Sequence, residues 1–171
     1  VTQEMLSATG VSNFLNILNT APGSPGDWAA VPFVDGPDTD NACFYRTTRL
    51  IFLQQTIVAT GGGPPNHPRN VTRYDFRPVG YSADSTVLAC YSTHMKAGDT
   101  SDDQTRRLLE AQRIRANART LNPAWNYLIS GDFNIQSSNQ AAYQQMTTPQ
   151  GDPDGQFFDP IATPGSWNNS G

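Results

Sequence analysis

The pattern of apolar and polar positions predicts β-strands along most of the chain, because β-branched and aromatic residues recur in short alternating or continuous apolar runs. These strands are expected at residues 1–5, 28–34, 41–46, 49–60, 71–77, 86–94 and 127–130. The last run ends at a glycine, which lets the backbone turn sharply.

Helical spacing of apolar residues appears between the strands. Val11, Phe14, Leu15 and Leu18 predict an early helix, with Ser7 or Thr9 as its cap. A second helix is expected from Asp99 to about Leu121, because acidic residues follow Gly98 and suit the positive end of a helix dipole. Its predicted inner face comprises Leu108, Leu109, Ile114 and Ala118. Its arginines are expected to lie mostly outside and to pair with Glu110.

A third, short helix is predicted after Ser137 or Ser138, with Ala142, Tyr143 and Met146 facing inward. The stretch 61–68 is rich in Gly and Pro and predicts a mobile loop; it lacks the Lys-Ser/Thr pair of a phosphate-binding loop. Residues 151–171 are expected to be loop-like, apart from a short strand at 157–158. Strands that alternate with helices and also form hairpins predict an α/β (α+β) sandwich of mixed sheets flanked by helices.

Composition narrows the kinds of partner. The chain has 171 residues, which suits one domain, a net charge of -4, and 15% charged residues. Such a chain cannot coat a duplex with positive charge, so a phosphate substrate must be held locally by a metal ion and a few arginines. No apolar run reaches the length of a transmembrane segment. Cys43 and Cys90 are expected to be buried free thiols, with a single bridge as the alternative.

The strand at 127–130 leads into a polar turn with candidate chemistry. Asp132 and Asn134 stand two residues apart, so in extended backbone they would point to one face. A hard cation, or a water that attacks phosphate, needs such oxygen ligands and a nearby amide donor. Taken alone, the same residues are typical of an ordinary turn after a strand.

Four motifs at predicted strand ends change that balance: Gln3-Glu4, residues 41–46, Ser92-Thr93-His94-Met95-Lys96-Ala97-Gly98, and Gly131-Asp132-Phe133-Asn134. In this order they resemble the endonuclease/exonuclease/phosphatase superfamily, the metal-dependent phosphodiesterases related to deoxyribonuclease and neutral sphingomyelinase. The resemblance covers nearly the whole chain and implies a deoxyribonuclease-like fold.

The resemblance also implies roles for the matching residues. Glu4 looks like the carboxylate that holds Mg²⁺ (or Mn²⁺), and His94 like the histidine that donates to a phosphate oxygen in the transition state. Asp132 resembles the aspartate that orients the attacking water, and Asn134 the asparagine beside it that binds the phosphoryl group. Arg73 corresponds to a phosphate contact and is expected on the rim of the cleft. Asn41 and Tyr45 are further candidates for substrate binding.

The chain departs from the family pattern at both ends. The first family strand and the C-terminal Ser-Asp-His strand have no counterpart, and the only other histidine is His67. The resemblance therefore implies a single domain over residues 1–171 that is truncated at both ends. We expect this chain to be nearly inert, because the histidine that handles protons is missing.

The natural substrate remains open at this stage. Nucleic acid, hydrolysed as by a nuclease, is the first expectation. The alternatives are a phosphatase, a sphingomyelinase-type phosphoesterase, or a catalytically dead binding domain. The His-x-Lys-Ala-Gly form resembles bacterial, often exported, members of the family, which favours a secreted protein. The oligomeric state does not follow from the sequence.

Overall fold

The computed structural model of the protein describes residues 1–151 and 154–167. The strands in this part of the chain are β1 (Thr2–Met5), β2 (Trp28–Ala30), β3 (Asp40–Ala42), β4 (Phe44–Arg46), β5 (Leu50–Ala59), β6 (Val71–Pro78), β7 (Leu88–His94) and β8 (Asn126–Asp132). The helices are α1 (Ala8–Thr20), α2 (Ser101–Ala118) and α3 (Ala141–Thr147), with a short 3-10 turn at Asp84–Thr86.

A four-stranded mixed sheet in the order β5-β6-β7-β8 forms the centre of the fold. Its first three strands are antiparallel neighbours, whereas β7 and β8 run parallel and are connected through α2. Two smaller antiparallel pairs, β1-β3 and β2-β4, complete the strands. Helices and sheets are therefore mixed in the layered α/β arrangement that the sequence predicts.

Each face of the central sheet has its own apolar core, because side chains alternate between the faces of a strand. On one face the sheet packs against helical residues; this core is centred on Val71, Ala89, Tyr91, Ala111 and Ile114. On the other face Tyr74 and Phe76 pack with Val31 and Cys43. Residues of β7 therefore face α2 at odd positions and the smaller strands at even positions, which decides where the polar residues point.

The beginning of α1 follows the predicted pattern, since Ser7 is its N-cap and accepts from the Gly10 amide at 3.1 Å. In α2 the cap is Thr100, which forms a capping box with Asp103. In α3 Ala142 and Met146 are buried as expected, but the helix begins after Gln140 without a side-chain cap. Within residues 1–151 and 154–167, every helix falls short of the length or apolar character that crossing a bilayer requires.

The prediction that the α2 arginines lie outside is wrong. Arg107 and Arg115 are fully buried, and so is Glu110. Arg107 donates to the carbonyls of Lys96 and Gly98 at 2.6 and 2.8 Å, so it satisfies backbone acceptors that a hydrophobic residue would leave unpaired. Glu110 accepts from the Thr93 hydroxyl rather than pairing with an arginine. Burial raises the pKa of Glu110 to about 7.

The Gly-Pro loop is anchored to α2, contrary to the expectation of a mobile segment. His67 is fully buried; its Nδ1 lies 2.7 Å from the Arg69 carbonyl, and Arg113 Nη1 lies 2.8 Å from its Nε2. A carbonyl only accepts and a guanidinium only donates, so Nδ1 carries the proton and the ring is neutral. Burial, together with Arg113 and Arg106, lowers the pKa of His67.

Several predicted strands have different limits. The run 41–46 is divided into β3 and β4, which join different sheets on either side of Cys43. The first of these begins at Asp40, and β2 ends at Ala30 instead of 34. Phe157 is buried against Tyr91 and Tyr127, but 157–158 is not a strand. Residues 152–153 and 168–171 of the predicted final loop lie outside the described residues.

Cys43 and Cys90 are free thiols, and burial raises their pKa values to about 12 and about 11.

Candidate active site

The parallel strands β7 and β8 end side by side and bring two of the predicted residues together. His94 and Asp132 are register partners, so their side chains emerge on the same face of the sheet. His94 Nε2 lies 3.7 Å from Asp132 Oδ2. The Met95 amide donates to the Asp132 carbonyl at 2.9 Å and extends the pairing one step beyond the strand. Adjacent strand ends thus create the proximity of residues that are distant in sequence.

A second carboxylate approaches His94 from β1. Glu4 Oε1 lies 3.8 Å from His94 Nδ1. Glu4 has a positive φ of 62°, which is uncommon for a residue other than glycine, and its side chain is exposed. The imidazole of His94, only 5% exposed, therefore lies between a carboxylate on each side.

Asn134 completes the cluster, but not through an extended strand. Its φ is 49°, and its backbone amide donates to Asp132 Oδ1 at 2.9 Å. Its side-chain nitrogen donates to the Met95 carbonyl at 3.0 Å. These bonds fix Asn134 beside Asp132. The side-chain oxygen of Asn134 has no donor among the described residues.

The spacing around His94 leaves both of its ring nitrogens available. The contacts at 3.7 and 3.8 Å are longer than hydrogen bonds, and Nδ1 is buried without a hydrogen-bond partner among the described residues. Ring nitrogens in such a position can donate to an oxygen that enters between the side chains. Distances of this kind commonly shorten only when substrate binds.

The donor set fits the divalent cation that the family resemblance implies. Mg²⁺ is usually held by one or two carboxylates and keeps several waters. Glu4 and Asp132 offer two exposed carboxylates on either side of His94, Glu4 beside the unpartnered Nδ1 and Asp132 beside Nε2. Across residues 1–151 and 154–167, no three His, Cys, Asp or Glu side chains are clustered closely enough to hold a metal by themselves. Glu4 is the residue to which the resemblance assigns the ion.

Asn41 lies below the site rather than at its surface. It is 6% exposed, and both ends of its amide are engaged. Its Nδ2 donates to the Asn70 carbonyl at 2.8 Å, and its Oδ1 accepts from the Ser92 hydroxyl at 2.9 Å. Asn41 therefore has no free polar group to offer a substrate, in contrast to the role the resemblance implies.

Tyr45 is likewise away from the cluster. Its ring packs against Phe52 and Phe76, with centroid distances of 6.1 and 5.3 Å. These residues belong to the apolar core between the central sheet and the β2-β4 pair. Tyr45 contributes to that core, and the structure does not bring it to His94.

The position of Arg73 is a correction. Arg73 is the register partner of Tyr91, three residues before His94, so it projects from the opposite face of the sheet. Its Nε and Nη2 lie 2.8 and 2.9 Å from the Asp75 carboxylate, and Nη1 donates to Asn117 of α2 at 2.8 Å. The guanidinium is buried and fully paired, so it does not lie on the rim of the site.

Two polar residues near the site were not assigned a role from the sequence. Gln3 Nε2 donates to Ser92 Oγ at 3.2 Å, and Ser92 is fully buried. Ser92 stands two residues before His94 in the same strand, which places both on one face. That spacing is visible in the sequence, but the partners of Ser92 depend on strand pairing.

A large cavity among the described residues is lined by none of the residues of this cluster. It is an apolar groove of about 560 Å³, and its lining includes Ile129, Phe133, Met146, Phe157, Ile161 and Trp167. Ile129 belongs to the helix-facing core, whereas Asp132, three residues later, faces the other way. The groove has the wrong chemistry for charge stabilisation, so the geometry around His94 rather than cavity size defines the candidate site.

Solved structures share this fold. "Humanized D. rerio TDP2 by 14 mutations" has a TM-score of 0.55 at 14% identity over 82% of this chain and 51% of that chain. The human Nocturnin catalytic domain with bound sulfate has a TM-score of 0.54 at 15% identity over 71% and 48%. D. rerio TDP2 complexed with single-strand DNA product has a TM-score of 0.54 at 14% identity over 80% and 47%.

These neighbours are members of the endonuclease/exonuclease/phosphatase superfamily, and the chain has their deoxyribonuclease-like fold. The predicted resemblance is thus confirmed at the level of fold. The chain spans about half the length of the solved structures it matches. No family model and no curated protein matches the sequence.

Proposed function

We propose that this chain carries the site of a divalent-metal-dependent phosphodiesterase that hydrolyses nucleic acid. The observation that carries the proposal is the placement of His94 between Glu4 and Asp132, at 3.8 and 3.7 Å, where β1, β7 and β8 converge. A phosphodiester is anionic, so its hydrolysis needs fixed donors where negative charge develops and a carboxylate that directs water.

Each residue has a role in this proposal. Glu4 would hold the ion, which when bound would neutralise negative charge on the phosphate. His94 donates from a ring nitrogen to a non-bridging phosphate oxygen. Asp132, exposed and fixed next to Asn134, orients the attacking water and accepts its proton while the P–O ester bond breaks, and solvent water protonates the departing oxygen. The backbone amide of Asn134 donates to Asp132 and holds it in place, while the side-chain oxygen of Asn134 is offered towards water.

The fold neighbours support the same class of reaction. They are of nuclease and phosphodiesterase type. One of them is complexed with single-strand DNA product, and another carries a sulfate, which has the shape and charge of a phosphate group. This support concerns the class; the residue roles rest on the geometry around His94.

Single-turnover cleavage tests the proposal. A fluorescein-labelled single-stranded DNA oligonucleotide is incubated with excess protein and Mg²⁺ or Mn²⁺, with and without EDTA. We expect EDTA-sensitive cleavage that is very slow, in keeping with the nearly inert chain expected from the sequence. His94→Ala and Asp132→Asn should lower the rate by about 10²-fold or more, because a donor or base that acts in the transition state contributes about that much. Their effect should fall on the maximal single-turnover rate more than on the protein concentration that gives half of it.

Asp102→Asn is the matched control for Asp132→Asn, since Asp102 is an exposed aspartate at the start of α2, outside the site. It should cleave at the wild-type rate. Cleavage that persists in EDTA, or that survives His94→Ala, would refute the proposal. DNA binding without any cleavage would instead identify a binding domain.

A lipid phosphodiester is a second candidate substrate, favoured by one observation. The apolar groove includes Phe133, which follows Asp132 in the chain but packs against the helix-facing core, and its Phe158 and Ile161 are 80% and 78% exposed. Apolar side chains at such exposure suit contact with acyl chains. Vesicles that contain sphingomyelin, assayed beside the oligonucleotide with the same variants, distinguish the two substrates.

A further inference from the structure

β1 contains a bulge at the residues that approach His94. Thr2 pairs with Ala42 and Met5 pairs with Asp40, so Gln3 and Glu4 together stand opposite the single residue Asn41. Two residues facing one is the defining feature of a β-bulge, which bends a strand and redirects a side chain. The positive φ of Glu4 lies within this bulge.

The bulge changes which way two consecutive side chains point. In a regular strand Gln3 and Glu4 would face opposite sides. Here Gln3 Nε2 contacts Ser92 Oγ at 3.2 Å, while Glu4 Oε1 lies 3.8 Å from His94 Nδ1. Ser92 and His94 are two residues apart on β7 and share one face, so both side chains of the bulge are directed at that face.

A hydrogen-bond relay with one possible direction holds this arrangement. Asn41 Nδ2 donates to the Asn70 carbonyl, so Asn41 Oδ1 must point towards Ser92. The Ser92 hydroxyl has one hydrogen and gives it to Asn41 Oδ1 at 2.9 Å. Ser92 can therefore only accept from Gln3, which donates. Each amide orientation follows from the one before it.

The relay is fixed at its far end and protected from water. Asn70 Oδ1 accepts from the Gly61 amide at 3.0 Å, which connects the relay to the loop that His67 anchors. Ser92 is fully buried and Asn41 is 6% exposed. A broken link would leave a buried polar group unpaired, and the relay therefore selects one position for Gln3.

We propose that Gln3, Ser92 and Asn41 are positioning residues that hold the β1 bulge so that the Glu4 carboxylate faces His94. This inference rests on the proposed function for its purpose, but its geometry can be tested without activity. The hydrogen bond from the neighbouring Gln3 to Ser92 of β7 supports the left-handed backbone of Glu4. The relay acts through Glu4 and does not touch the substrate.

The test is a double-mutant cycle on the whole chain, measured by the NMR chemical shifts of the histidine rings. The protein has two histidines, so the ring resonances of His94 and His67 can be resolved and assigned by single substitutions. At one fixed pH, Glu4→Gln removes a charge 3.8 Å from His94 and should shift its ring resonances. In Gln3→Met, which keeps the side-chain length but cannot donate, the same Glu4→Gln change should have at most half that effect.

In Ser92→Ala, the effect of Glu4→Gln on the His94 resonances should fall by as much as in Gln3→Met. Ser92→Thr keeps the hydroxyl and should preserve that effect. Thr2→Val is the matched control, because the Thr2 hydroxyl lies in the same strand, buried and without a hydrogen-bond partner in the described residues. It should preserve the full effect of Glu4→Gln. If Ser92→Ala does not fold, the part-buried Gln3→Met variant decides the question.

A purely structural role for the relay would lower the melting temperature but leave the Glu4-dependent shift of His94 intact. An unchanged shift in Gln3→Met would overturn the inference. The oligonucleotide assay distinguishes failure of this inference from failure of the proposed function. If Gln3→Met removes the effect of Glu4→Gln on the His94 resonances but the wild-type chain does not cleave DNA, only the proposed function is refuted. Metal-dependent cleavage with an unchanged shift refutes only the positioning role.

Discussion

A β-carbon added to Gly131 would lie 1.9 Å from the carbonyl oxygen of Thr93, so the two strands that carry the site are in contact at this point. Gly131 also has a φ of 144°, a backbone region that side chains rarely adopt. His94 and Asp132 are the next residues along the two strands and are register partners. The absence of a side chain at Gly131 thus permits the approach of the histidine and the carboxylate.

Gly131→Ala should therefore destabilise the chain and move His94 and Asp132 apart. We expect a loss of about 2 kcal/mol or more in the free energy of unfolding, because both strain and a backbone clash must be relieved. Urea denaturation measures it. Gly63→Ala is the control, since a β-carbon there meets nothing within 4 Å, and it should change stability by less than about 0.5 kcal/mol. Equal losses in the two variants would show that the close contact is unimportant.

The raised pKa of Glu110 predicts that the stability of the folded chain decreases as the pH rises. Burial raises its pKa from 4.5 to about 7 in the folded chain, so the folded state binds more protons than the unfolded state between these values. Wild-type stability should fall as the pH rises through this window. Glu110→Gln cannot ionise, so relative to wild type it should gain on the order of 3 kcal/mol on going from about pH 4.5 to well above 7.

Urea denaturation at both ends of that pH window checks this prediction. Asp102→Asn, a substitution at an exposed position of α2, is the control and should not reproduce the gain of Glu110→Gln at high pH. A difference between wild type and Glu110→Gln that does not change with pH would show that Glu110 does not titrate in this range.

His67 should act in the opposite direction. Burial lowers its pKa below the ordinary value of 6.5, so the unfolded state binds the additional proton. The stability that neutral His67 contributes should be fully present above pH 6.5 and should decrease as the pH falls below that value. His67→Gln should cost about 1–3 kcal/mol at neutral pH through the lost buried hydrogen bonds to Arg69 and Arg113, and this cost should shrink in acid.

The same denaturation series measures the His67 effect, with His94→Gln as the control for the second histidine. The pH windows of His67 and Glu110 overlap with opposite slopes, so the wild-type curve alone would mask both. A cost for His67→Gln that stays constant from neutral to acid pH would contradict the inferred neutral, buried imidazole.

The sequence predicts that His94 and Asp132 lie close together at the strand ends, and their chemical roles stay predictions. His94, Asp132 and Asn134 follow strand ends, and parallel strands bring such ends together without any knowledge of packing. Arg73 was misplaced because its face depends on register with β7, which the sequence alone does not define. The buried arginines of α2 look like a solvated face in a helical pattern, but they bind backbone carbonyls from other segments.

The bulge in β1 illustrates a further limit. Alternation would place Gln3 and Glu4 on opposite faces, and only the pairing with β3 shows that both stand opposite Asn41. The role of Asn41 changes accordingly, from a candidate substrate contact to a buried link in a relay. Such long-range pairings have no signature within a single short motif.

Selective broadening by Mn²⁺ tests most directly whether Glu4 and His94 form a divalent-metal site. Substoichiometric Mn²⁺ is added to wild type and Glu4→Gln while the ring resonances of both histidines are recorded. We predict that His94 broadens more than His67 in wild type, and that EDTA or Glu4→Gln abolishes the difference, because Glu4 holds the ion next to His94. Equal broadening of the two histidines, or broadening of His94 that persists in Glu4→Gln, would contradict the metal-dependent site proposed for this chain.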